Sequence, residues 1–64
     1  MDPEIEAART RALAAGFTVA TVTGQDGLIV YQLSDGQGNY LSSHTVENGL
    51  WKRAFKRGQL PPAA

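Results

Sequence analysis

The chain predicts a small α+β domain of order α-β-β-β-α, a three-stranded antiparallel meander packed against two helices. Three observations predict it. An alanine-rich segment with a helix start and a glycine stop opens the chain. Three short β-rich runs separated by Gly/Asp turns follow. An amphipathic segment that ends in cations and a glycine closes it. Sixty-four residues hold one domain, expected over residues 1–58, with residues 59–64 forming a flexible Pro/Ala tail.

The first helix is expected over residues 3–15. Asp2 can accept from exposed backbone N–H groups, and Pro3 suits the first helical position. Glu4 and Glu6 sit at the positive end of the helix dipole. The alanines at 7, 8, 12, 14 and 15 favour helix, and Gly16 ends it. Its apolar face is thin: Ile5, Ala8, Ala12 and Leu13. Arg9 falls on that face, its stem covering apolar surface while its head reaches water.

Phe17 to Thr23 reads as the first strand, Leu28 to Leu33 as the second and Asn39 to Ser42 as the third. The turns are Gly24-Gln25-Asp26-Gly27 and Ser34-Asp35-Gly36-Gln37-Gly38. Period-two alternation assigns Ala20, Val22, Ile29, Tyr31, Leu33 and Tyr40 to one sheet face. It assigns Phe17, Val19, Leu28, Val30 and Leu41 to the other. Two short helices cover one face of such a sheet, so a homodimer through the uncovered face or edge is expected. The second helix is expected after Ser42-Ser43, capped by Ser43 or Thr45, running to Arg57 and stopped by Gly58.

Charge is distributed unevenly. The net charge is zero, yet residues 44–57 carry Lys52, Arg53, Lys56 and Arg57 against Glu47, a balance of +3. Residues 1–43 carry Arg9 and Arg11 against Asp2, Glu4, Glu6, Asp26 and Asp35, a balance of −3. On a helical wheel, Val46, Leu50, Trp51, Ala54 and Phe55 share one broad half. Thr45, Gly49, Lys52, Arg53 and Lys56 share the other, and Arg57 lies on the border. Cations on one helix face can neutralise phosphates and release counterions. The candidate nucleic-acid or partner-binding residues are therefore Lys52, Arg53, Lys56, Arg57 and Gly49, with Arg9 and Arg11 as auxiliary contacts. Trp51 and Phe55 are assigned to the core or a dimer interface. Gly49 is read first as packing near a loop or merely weakening the helix, and second as a point of close approach for a phosphate or a partner helix.

Several chemistries are disfavoured. There is no cysteine and one histidine, so neither a disulfide nor a metal site is expected, and no cofactor is implied. Ser42, Ser43 and His44 are adjacent, but neighbours on a strand point to opposite sides, which argues against a nucleophile–base pair. The two glycine-rich turns lack the Lys-Ser/Thr that a phosphate loop needs. A domain this small has little room for a deep ligand pocket. An enzyme is not expected. The acidic start is unlike a signal peptide, and the longest apolar run, Leu28 to Tyr31, is far short of the roughly 20 residues that span a bilayer. A cytoplasmic protein encoded by a complete small open reading frame, without membrane contact, is expected.

The element order is also that of double-stranded RNA-binding domains. Those domains carry a lysine run at the start of their last helix, where this chain has Ser43-His44-Thr45-Val46-Glu47. The resemblance is one of element order and does not extend to membership. Two functions follow as expectations: a small regulatory protein that binds nucleic acid through the basic face of its C-terminal helix, or a protein-interaction module, inhibitor or adaptor.

Overall fold

The computed structural model of the protein describes residues 2–63. Helix α1 spans Pro3–Ala14, strand β1 Thr18–Thr23, β2 Ile29–Ser34, β3 Tyr40–His44, and helix α2 Glu47–Lys56. The strands form one antiparallel sheet in the order β1-β2-β3. The predicted α-β-β-β-α architecture is therefore the one observed.

Local chemistry accounts for the element ends. Asp2 accepts from the Glu4 N–H at 2.8 Å and caps α1. Both helices close in the same way. The Phe17 N–H donates to Ala12 O and the Gly16 N–H to Leu13 O. The Gln59 N–H donates to Ala54 O and the Gly58 N–H to Phe55 O. Each is a Schellman closure with glycine in the left-handed region, Gly16 at φ 91° and Gly58 at φ 69°. In the first hairpin, Asp26 Oδ1 accepts from the Leu28 N–H at 3.0 Å. In the second, Asp35 Oδ1 accepts from the N–H groups of Gln37 and Asn39, both at 2.9 Å.

The start of α2 departs from expectation. Ser42, Ser43 and His44 belong to β3, and the residue at the helix N-cap is Val46, which makes no side-chain cap. The hydrogen bond near this start comes from another source: His44 Nδ1 accepts from the Val46 N–H at 3.0 Å. Neither Ser43 nor Thr45 caps the helix.

The sheet faces also differ from simple alternation. Val19 lies opposite Leu33, Thr21 opposite Tyr31, and Val22 opposite Val30. Residues directly opposite share a face, so Val19 joins Tyr31 and Leu33, while Ala20 and Val22 join Val30. The expected grouping had β1 displaced by one residue against β2. The Gly24 N–H to Leu28 O bond at 2.8 Å closes the hairpin and sets the observed register. A β-bulge between the Leu33 and Ser34 pairings then shifts β3, so Leu33 faces Ser42 and Ser34 faces Tyr40.

One core results, made of Ile5, Ala12, Leu33, Leu50, Trp51 and Ala54, with Phe17, Val19, Tyr31, Leu41, Phe55 and Leu60 packed around it. Helix α2 lies against β2 and β3, and α1 packs beside α2. Small residues at that contact, Ala8 and Ala12 of α1 and Ala54 of α2, are fully buried and allow a close approach. Leu13 and Val46, expected in the apolar faces, are instead 43% and 56% exposed. Helix α1 lies against α2 rather than over the sheet, so only its Ile5, Ala8 and Ala12 stripe is covered. Val46 precedes the first turn of α2, outside its packed stripe.

Of the segment expected to hang free after residue 58, residues 59–61 are docked, and Ala64 lies outside the described residues. Gln59 Nε2 donates to Leu41 O at 3.1 Å, and Arg11 Nε donates to Pro61 O at 3.1 Å. Leu60 packs against the core. Composition predicted an open tail because Pro and Ala offer few side-chain anchors; the anchors come from Arg11 and Gln59.

The Asp35 turn yields a pH test. The Asn39 and Gln37 N–H groups hold the Asp35 carboxyl below its usual value. A depressed carboxylate contributes stability above its unfolded value and loses it as pH falls through the lower folded value. Asp35→Asn keeps an acceptor and removes the charge. Chemical denaturation should place the variant below the parent at neutral pH, with the gap closing in strong acid; a gap independent of pH would refute this role.

Candidate functional site: a basic groove between the second helix and the third strand

Burial of Leu50, Trp51 and Ala54 sets the rotational phase of α2. The residues between them in sequence necessarily turn outward. Lys52, Arg53 and Lys56 are exposed, as is Arg57 just past the helix end. These four, with His44 and Gly49, line one open groove of about 340 Å³ along β3. Five of the seven residues singled out from sequence as binding candidates are thus brought together.

The two arginines are fixed to the strand. Arg53 Nη1 donates to Ser43 O at 2.7 Å, and Arg57 Nη1 donates to the buried Ser42 Oγ at 3.4 Å. Each guanidinium has five N–H donors, so most stay available to a ligand. Lys52 and Lys56 make no hydrogen bond among the described residues. The ion pair found among the described residues joins Arg9 to Glu6 at 3.4 Å. No carboxylate among them therefore neutralises the four cations of the groove.

Gly49 has a steric explanation. A Cβ built there would lie 2.6 to 2.9 Å from three ring atoms of His44. The imidazole rests on the bare backbone of α2, and its Nδ1 holds the Val46 N–H. Gly49 is therefore the seat of the His44 ring, a contact with the end of β3 rather than with a loop. His44, which is not among the binding residues expected from sequence, forms a wall of the groove. The detectable signal is the pairing of a ring with a glycine five residues later, inside an otherwise well-formed helix.

The remaining candidates lie elsewhere. Arg9 is half-buried, with its guanidinium carbon 5.8 Å from the Trp51 ring centroid, a cation–π contact worth about 0.5–1 kcal/mol at such sites. Arg11 holds Pro61 in a separate recess of about 310 Å³ that also includes Phe55 and Leu60. Trp51 is 1% exposed and is a core residue of the single chain. Its ring offers no surface to a base or a second protein. Phe55 is half-buried against the same core. Ser42, Ser43 and His44 each have a different partner: Ser43 Oγ accepts from the Tyr40 hydroxyl at 2.9 Å, Ser42 Oγ from Arg57, and His44 from Val46. No nucleophile–base pair forms among them.

The His44–Gly49 contact predicts a reversal of sign. Gly→Ala inside a helix ordinarily adds about 1 kcal/mol. Here Gly49→Ala must displace the ring and its bond to Val46, so urea denaturation should show no gain or a loss. In a His44→Ala background the same substitution should recover the full gain. Equal effects in both backgrounds would show that the ring does not occupy the Gly49 site.

Comparison with known protein families, with curated proteins and with solved structures returned no match.

Proposed function

We propose that this chain is a small non-enzymatic cytoplasmic protein, regulatory in role, that binds the phosphate backbone of nucleic acid through the groove between α2 and β3. The observation that carries this reading is the convergence of Lys52, Arg53, Lys56 and Arg57 on one groove with no carboxylate partner among the described residues. Two pinned arginines suit forked contacts to phosphate oxygens, and two free lysines act as mobile point charges. With Trp51 buried and no Trp, Tyr or Phe lining the groove, base stacking has little support. Binding to duplex backbone, insensitive to sequence, is the form the reading takes.

The acidic balance of residues 1–43 favours one orientation on a polyanion, with α2 toward the ligand. A second reading, a protein-interaction module or small inhibitor, is supported by Val22 and Tyr40. They are 45% and 60% exposed on the sheet side away from the core. A partner bound there would be indifferent to the charge of α2.

The test is fluorescence anisotropy with labelled duplex DNA and duplex RNA. Neutralising three or four phosphates should weaken binding by about a hundredfold between roughly 50 and 200 mM salt. Lys52→Glu with Lys56→Glu should abolish binding and leave far-UV circular dichroism unchanged, because both side chains are exposed. No binding to either duplex at low salt, or binding unaffected by the double charge reversal, would end the reading.

A further inference from the structure

The two free edges of the sheet are treated differently. On β3, the carbonyls of Leu41 and Ser43 accept side-chain hydrogen bonds from Gln59 and Arg53. Those side chains lie against the edge and occupy groups that another strand would need. On β1, no side chain among the described residues bonds to the backbone. The Gly24 N–H to Leu28 O bond fixes which residues face inward. By strand parity, Thr18, Ala20 and Val22 bond to β2, and the N–H and C=O groups of Val19, Thr21 and Thr23 point out of the sheet.

The edge also lacks the usual protections. Thr18-Val19-Ala20-Thr21-Val22-Thr23 has no charge, no proline and no bulge, and five of its six residues are β-branched. We propose that β1 pairs antiparallel with β1 of a second copy of this chain, joining two three-stranded sheets into one of six strands. The edge is self-complementary about Thr21. A twofold axis there pairs Thr21 with its own copy and Val19 with Thr23, through about six backbone hydrogen bonds. No like charges meet across the joint, because β1 carries none.

The axis is perpendicular to the sheet, so both α2 helices fall on the same side of the joined sheet and both basic grooves stay open at its outer strands. A joint of one strand edge falls short of the roughly 800 Å² per partner of a standard interface, so the dimer forms and dissociates with concentration. The inference does not depend on nucleic-acid binding. Its test is run without nucleic acid in about 0.5 M salt, where contacts of the groove are screened.

Sedimentation and amide hydrogen exchange are measured together from about 10 μM to 1 mM, the range expected of a weak joint. The apparent mass should double across the range. The amides of Val19, Thr21 and Thr23 should gain protection in parallel, while those of Ala20 and Val22 are protected throughout. Thr21→Pro removes an outward donor at a position where an edge strand tolerates proline, and should remain monomeric with unchanged circular dichroism. A constant monomer mass overturns the proposal. So does a dimer in which the Val19, Thr21 and Thr23 amides stay unprotected, or one that persists in folded Thr21→Pro.

Discussion

The structure depends on the rotational phase of one ten-residue helix. Leu50, Trp51 and Ala54 all lie below 2% exposure, and a single stripe on α2 holds them. Burying an indole ring removes about 150–250 Å² of surface from water, several kcal/mol at about 25 cal/mol per Å². In a chain of this size that term is comparable to the whole net stability. It outweighs the cost of an indole N–H with no acceptor among the described residues, about 1–3 kcal/mol. Once that stripe faces the sheet, the direction of Lys52, Arg53 and Lys56 follows from helical geometry alone.

Local contacts then hold the phase. His44 sits on Gly49, Arg53 and Arg57 reach β3, and Gln59 ties the chain beyond the helix to Leu41. These same contacts shape the groove, so the features that dock α2 also present its cations. Concentrating four positive charges near one helix end has a repulsive cost, offset by the negative end of the helix dipole, where Arg53 and Lys56 lie in the last turn. A groove lined by four cations offers charge on a defined surface. Such a surface suits a ligand recognised by its repeating charge.

Much of this was legible from residue order. Asp2-Pro3, the glycines at 16 and 58, and the two Asp-bearing turns placed every element boundary except the start of α2 to within two residues. Helical periodicity separated the cations of α2 from Leu50, Trp51 and Ala54. The sheet faces were not legible, because the register depends on how the Gly24–Leu28 turn closes and on a bulge in β3, and alternation within one strand carries neither. The N-cap of α2 is not Ser43 or Thr45, although both residue types suit a cap: pairing with β2 keeps Ser43 in the strand, and the helix starts only after Val46. His44 escaped because its role depends on the absence of a side chain at Gly49. The docking of residues 59–61 depends on two long side chains reaching a distant backbone, which local composition does not encode.

Helix α2 buries Trp51 and turns its cations outward. As the sole tryptophan, Trp51 reports on this directly through its emission maximum and its quenching by iodide and acrylamide, with and without duplex DNA. Burial predicts blue-shifted emission, weak quenching by both agents, and no change when DNA is added. Emission typical of a solvated indole, strongly quenched and shielded by DNA, would place Trp51 at the ligand and contradict the assigned phase of the helix.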